Sequence, residues 1–387
     1  MRRLLGPAVL LALAACGGCD DVPAAAVTNC QTVGIASAKT DILFVVDDSG
    51  SMQEEQQNLA ANFDAFIAQL AALPVANDYH IGITTTSVEN FDGTIVFPAA
   101  NVPGSSPARP CPNIGRPYPQ GALVAVDPAS IATYPTDGVF VDNRPKVLVS
   151  GSPTLVQDFQ TNVKVGICGS GKEEGLEAAR LALSDRVADG TNAGFLRPGA
   201  RLVVIVVSDE DDCTGPAADN DACHNTKGPL VPVQDFVDFF AAPVDGEVRS
   251  VLVAAIAGVD PVTHLPQVCG TAFDKADRYA AFVSAFGAVG LIDSICNSSF
   301  RDTLIAIATL IGQEVPLAQE PADWRLLTVA VVKPGGGRVA CTLGTAGGST
   351  DVVYAPATPT KSATLTFGGA CTLSAGDQID LKILCAG

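Results

Sequence analysis

Asp41-Ile42-Leu43-Phe44-Val45-Val46-Asp47-Asp48-Ser49-Gly50-Ser51 is the stretch that decides how this chain folds. Five consecutive apolar residues, Ile42 to Val46, suit a strand buried on both faces, as in the parallel sheet of an α/β domain. Two acids and a Ser/Gly turn end the run. Beyond the turn, Leu59, Phe63, Phe66 and Leu70 recur at helical spacing, so the strand feeds an amphipathic helix.

Similar signals continue along the chain. Residues 79–84, 202–207 and 248–256 read as strands, and residues 173–183, 233–240, 275–286 and 300–311 as helices. Alternation of this kind predicts an open, mostly parallel sheet with helices on both faces, bounded at about residues 40–315. Residues 88–165 interrupt the pattern: eleven of the 26 prolines fall between Pro98 and Pro153. A stretch that long without helical periodicity reads as an insertion, a lid or a specificity surface. From Trp324 onward, short Val/Leu/Thr runs between glycine-rich turns predict a small β-sandwich over residues 320–387.

A second oxygen-rich cluster, Ser208-Asp209-Glu210-Asp211-Asp212, follows the apolar run at 202–207. Ligands of open α/β sheets collect at the carboxyl ends of the strands, so this cluster and the 47–51 turn are expected at one edge. Their side chains offer only oxygen, which suits a hard cation, Mg²⁺ or else Mn²⁺ or Ca²⁺. Carboxylates gathered there repel one another without a counter-ion. Asp209, directly at the strand end, is the expected ligand; Glu210 and at least one of Asp211 and Asp212 are expected to be solvated loop charges.

Asp47-x-Ser49-x-Ser51 after an apolar strand, with a later acidic loop after another, resembles the metal-ion-dependent adhesion site of von Willebrand factor type A domains. The resemblance spans residues 40–312 in element order. It implies that Ser49 and Ser51 ligate the metal directly, that Asp47 and Asp209 act directly or through water, and that a threonine before a helix completes the set. At that place this chain has Ser170, six residues before Leu176, and Glu173 could swing in instead; Asp211 and Asp212 are further candidate ligands. The resemblance also implies binding rather than catalysis, with the open metal position filled by a Glu or Asp of a protein partner.

The N-terminus carries Arg2-Arg3 and a short apolar stretch, an export signal rather than a membrane span. Leu13-Ala14-Ala15-Cys16 resembles the lipobox of bacterial lipoproteins, which implies a signal peptide over residues 1–15, lipidation of Cys16, a tether over 16–39 and membrane contact through lipid alone. Gly17 after the cysteine favours the outer membrane. Twelve cysteines in an exported chain point to disulfides. Proximity suggests Cys111–Cys168, Cys213–Cys223, Cys269–Cys296 and Cys371–Cys385, and disulfides account for Cys213 and Cys223 better than a zinc site with His224.

Of 387 residues, 48% are hydrophobic and 17% charged, so the chain folds. A net charge of -18 without a basic run excludes nucleic acid as a partner. Phosphatase chemistry on a strand-end aspartate needs an acid two residues on, where Ser49 stands. No histidine is marked as a base for a serine nucleophile, so no catalytic residue is assigned. The remaining alternative is a lipid-anchored scaffold whose cation is only structural.

Overall fold

The computed structural model describes residues 28–31, 34–99, 101–102, 108–133, 137–216, 219, 221–226, 228–242, 249–348, 350–359 and 361–385. The signal segment, Cys16 and most of the expected tether lie outside them. The α/β domain runs through β2 (Ala38–Val46), α1 (Gln53–Ala72), β3 (Asn77–Thr85), α2 (Pro128–Ile131), β4 (Leu148–Val149), α3 (Leu155–Asn162), α4 (Gly175–Leu183) and α5 (Asp185–Ala188). It continues with β5 (Arg201–Val207), α6 (Val233–Ala241), β6 (Val251–Ala257), α7 (Asp277–Ala285), β7 (Gly290–Ser294) and α8 (Arg301–Ile311). The six strands form one sheet in the order β4-β3-β2-β5-β6-β7, parallel except for β4.

The unbroken apolar run of β2 is explained by its central place. Ile42, Phe44 and Val46 face one side, packing with Leu59, Phe63 and Phe66 of α1 and Leu304 and Ile307 of α8. Leu43 and Val45 face the other, packing with Leu176 and Ala179 of α4, Phe236 of α6 and Phe282 of α7. Each such large side chain taken from water contributes about 1.5–3 kcal/mol, so both helical layers are held by the same strand.

Part of the Pro-rich stretch belongs to this core rather than to an appended loop. β4 pairs with the edge of β3, and Phe159 of α3 stacks on Phe63 with ring centroids 3.4 Å apart. An eight-residue helix with only Leu155, Phe159 and Asn162 buried is too short to stand out by periodicity.

The C-terminal unit consists of two four-stranded sheets. One has β1 (Thr28–Gln31), β14 (Gln378–Cys385), β9 (Leu327–Val332) and β10 (Arg338–Cys341) in that order; the other has β11 (Leu343–Gly344), β12 (Val352–Ala355), β13 (Thr364–Phe367) and β8 (Glu314–Pro316). Val329, Val331, Leu381 and Ile383 of the first share a core with Val315, Val352, Leu365 and Phe367 of the second. Two boundaries differ from the sequence expectation. Thr28–Gln31, inside the expected tether, pairs with β14, and β8, counted with the α/β domain, pairs with β13.

Disulfides join Cys111–Cys168, Cys213–Cys223 and Cys269–Cys296, as sequence proximity suggested. The expected Cys371–Cys385 pair is not formed: Cys371 bonds Cys341, with Cα atoms 5.9 Å apart. The cause is spatial, because β10 ends against the short helical turn at Gly369–Cys371.

Candidate metal centre

The register of the parallel sheet builds the site. Val46 lies opposite Val207, so the first residues past the two strands, Asp47 and Ser208, emerge side by side. The Ser208 hydroxyl donates to Asp47 Oδ2 at 2.6 Å, and Asp47 Oδ1 accepts from the Ser49 backbone N–H at 2.7 Å. This local bond turns the chain sharply and leaves the Ser49 and Ser51 hydroxyl oxygens 3.4 Å apart. That spacing is near the roughly 3.0 Å edge of an octahedron with ligands at about 2.1 Å. Gln56 in the first turn of α1 clamps the arrangement, donating to the carbonyls of Asp47 and Gly166 at 2.9 and 2.7 Å.

The loop after Cys168 crosses the same edge. Gly169 N–H donates to Asp48 O at 2.7 Å, and a Cβ at 169 would lie 2.2 Å from the Asp48 carboxyl carbon, so only glycine lets the two strands of chain approach. Ser170 is committed to the loop. Its N–H donates to Ser87 Oγ at 2.8 Å, its hydroxyl lies 2.7 Å from the acceptor Glu89 O and 2.8 Å from Asn90 Oδ1, and it accepts from Lys172 N–H at 3.0 Å. Three residues on, Glu173 is fully buried, and among the described residues no donor reaches either carboxylate oxygen. Glu173 is therefore the residue this loop turns inward with unspent ligand capacity.

In the third loop the acids divide their work. Asp212 accepts from Leu176 N–H at the start of α4 at 2.9 Å and pairs with the Arg278 guanidinium at 2.9 Å. Asp211 accepts from Arg278 N–H at 3.0 Å, at the start of α7. Both are helix-terminal anchors rather than open ligands. Asp209 and Glu210 are buried too, so the expectation of solvated loop charges fails for the whole run. Asp209 holds the chain beyond it through its carbonyl, which accepts from Phe273 and Asp274 N–H at 2.8 and 3.1 Å. Its carboxylate meets the Ser51 hydroxyl, and among the described residues no cation pairs with it.

Electrostatics make this cluster uncomfortable as it stands. Burial, with the Glu210 charge adding, pushes the Asp47 carboxyl up to about 7. Burial and then the Asp47 charge push Asp209 up to about 8, the Ser51 hydroxyl only tempering the rise. Glu173 stands well above the usual carboxylate range through burial, then Glu210 and Asp47. Glu55, in the first turn of α1, adds a further raised carboxyl near Asp209. The neighbouring cations are already engaged: Lys172 with Glu89 and Glu174 at 2.7 and 3.1 Å, Arg278 with Asp212, and His224 with Glu210 and Asp274. Among the described residues, no basic group is paired with Asp47, Glu173 or Asp209. Orphaned buried carboxylate oxygens in an all-oxygen setting fit a hard divalent cation.

The structure brings together Asp47, Ser49, Ser51 and Asp209, the residues named from the sequence, with Glu173, named there as an alternative, and adds Glu55, Glu210 and His224, which sequence reasoning did not assign to this centre. Glu55 lies one helical turn past Ser51, a signal that was available. His224 is placed by the Cys213–Cys223 disulfide, which spacing hinted at but whose consequence only the fold shows.

Neither a protein-family model nor a curated protein matches the sequence. Among solved structures, the chain is similar to a von Willebrand factor type A protein from Catenulispora acidiphila, at 10% identity and a TM-score of 0.34, covering 91% of this chain and 59% of that one. It is similar to proximal thread matrix protein 1 of the mussel byssus, at 12% identity and a TM-score of 0.35, covering 74% and 51%. A third similarity is to the human COPII-coat protein Sec24c, at 8% identity and a TM-score of 0.33, covering 91% and 39%. The chain thus spans 59%, 51% and 39% of the length of these three proteins.

Proposed function

We propose that this chain is an exported, lipid-anchored binding protein whose α/β domain is of the von Willebrand factor type A kind and recognises a protein ligand through a divalent cation. Asp47, Ser49, Ser51 and Asp209 would hold Mg²⁺, or Mn²⁺ or Ca²⁺, with Glu173 taking the place first read for Ser170. The observation that carries this reading is the pair of buried carboxylates, Glu173 and Asp209, that no cation among the described residues neutralises. When bound, the ion supplies charge that these oxygens lack and an attachment point for an outside carboxylate. Asp47 holds the turn in shape through its two short hydrogen bonds, Gln56 fixes the turn against α1, and the exposed Ser51 marks the side open to a partner. The reading is non-catalytic, since Ser49 stands where a phosphoryl-transfer acid would be needed. Cys16 would carry the lipid, with the outer membrane as its location.

A second reading is favoured by Glu173 itself. A carboxylate in place of a hydroxyl lowers the residual positive charge of the centre and weakens its pull on an outside acid, which suits a scaffold whose cation only ties loops together. Capture of envelope proteins on immobilised chain, with and without chelator, and with Ser51→Ala, separates the two. Adhesion predicts loss of capture in both conditions. Retained capture by Ser51→Ala, alongside lower thermal stability under chelator, supports the scaffold.

A further inference from the structure

We propose that Glu173, Glu210 and His224 form a second cation site, of mixed nitrogen and oxygen donors, that takes Zn²⁺ beside the all-oxygen centre of Asp47. One ligand atom from each of the three lies within 4.8 Å of the others, a triangle that small side-chain rotations close onto ligand distances of about 2.0–2.2 Å. Glu173 is fully buried, neither of its oxygens accepts a hydrogen bond from a donor among the described residues, and its two oxygens let it bridge this site and the Asp47 centre.

The orientation of the imidazole supplies the stronger argument. Nδ1 lies 3.0 Å from Asp274 Oδ2 and Nε2 lies 3.2 Å from Glu210 Oε2. With Nδ1–H donating to Asp274, Nε2 turns a lone pair toward a carboxylate, an arrangement that requires a proton or a cation between them. A proton on Nε2 satisfies that one contact and leaves the buried Glu173 carboxyl facing Glu210, where it needs a proton of its own. A divalent cation satisfies all three groups at once. Asp274 then serves as the carboxylate behind a metal-bound histidine, the partner that fixes tautomer and ring orientation in such sites.

Donor chemistry selects the metal. One imidazole and two carboxylates suit Zn²⁺ with a fourth position left over. Cys213 Sγ is 3.9 Å from Nε2, but its bond to Cys223 leaves no thiolate to ligate. The disulfide instead pins the residue next to His224, so the nitrogen is held in place before any ion arrives. This inference does not rest on capture of an outside acid at the Asp47 centre.

The test titrates the metal-stripped full chain with Co²⁺, a coloured stand-in for Zn²⁺, in saturating Mg²⁺. The expected result is one equivalent of Co²⁺ with visible d–d bands, displaced by Zn²⁺. Affinity should fall at least tenfold in Asp274→Asn, and the bands should vanish in His224→Ala, while Ser51→Ala keeps them. Retained Mg²⁺ binding in Ser51→Ala with Co²⁺ binding intact would count against the first centre alone. Two results overturn the second site: no Mg²⁺-resistant Co²⁺ binding to wild type, or an unchanged Co²⁺ spectrum and affinity in a His224→Ala protein whose melting stays cooperative.

Discussion

Glu173 is the residue on which the chemistry of this edge turns, because it is a buried acid that no cation among the described residues neutralises, close to where a hydroxyl was expected. In metal-free protein near neutral pH, Glu173→Gln should raise stability, because it removes a buried charge that burial, Glu210 and Asp47 all oppose. The same variant should gain less than wild type from added Mg²⁺, and urea denaturation in both conditions checks each half. The raised carboxyls also set a pH trend. Asp47 at about 7 and Asp209 at about 8 hold protons in the folded state that the unfolded chain, with carboxyls near 4, releases. Their contribution is therefore greatest at low pH and is lost as pH rises through 7 and 8. We expect the metal-free urea midpoint to fall between pH 5 and pH 8 and the fall to disappear in saturating Mg²⁺. A flat profile without metal contradicts the electrostatic account. At this scale the strand-end residues were legible, since a buried run must end where its first polar residues begin. Whether Ser170 or Glu173 turns inward stayed open in the sequence, because Gly169 and Gly171 permit several backbone paths and the contact of Gly169 with Asp48 selects one.

Elements show why the acids after Asp209, Glu210 to Asp212, were misread as solvent-facing. Four consecutive carboxylates look like a wet loop until α4 and α7 are known to begin above it. Asp212 and Asp211 then meet helix N-termini, and Arg278 neutralises the former in the interior. Arg278→Ala should cost about 3–5 kcal/mol, since it strands a fully buried charge; adding Asp212→Asn should recover part of that loss. Chemical denaturation of the single and double variants measures both. Strands and helices with long apolar patterns, β2, β5, β6, α1 and α8, were readable from the sequence. β7 and α3 were not: the first is a five-residue, mostly half-buried edge strand, and the second is two turns long.

The whole molecule joins an α/β domain to a β-sandwich that borrows strands from both ends of the described chain. β1 and β14 pair across some 350 residues, a contact that no local pattern announces. The Cys341–Cys371 disulfide closes a loop of 30 residues within the sandwich, and its removal by the paired Ser variants should cost roughly 2–4 kcal/mol. The loss should fall on the sandwich and leave cation binding by the α/β domain unchanged. Calorimetric titration of the chelator-stripped chain with Mg²⁺, Mn²⁺ and Ca²⁺, read beside thermal unfolding, tests the central claim. The account predicts saturable binding of at least one of these ions, stabilisation of about 2.7 kcal/mol at a hundred times Kd, and loss of both in Asp47→Ala. No binding heat and an unmoved melting temperature with all three ions would contradict it.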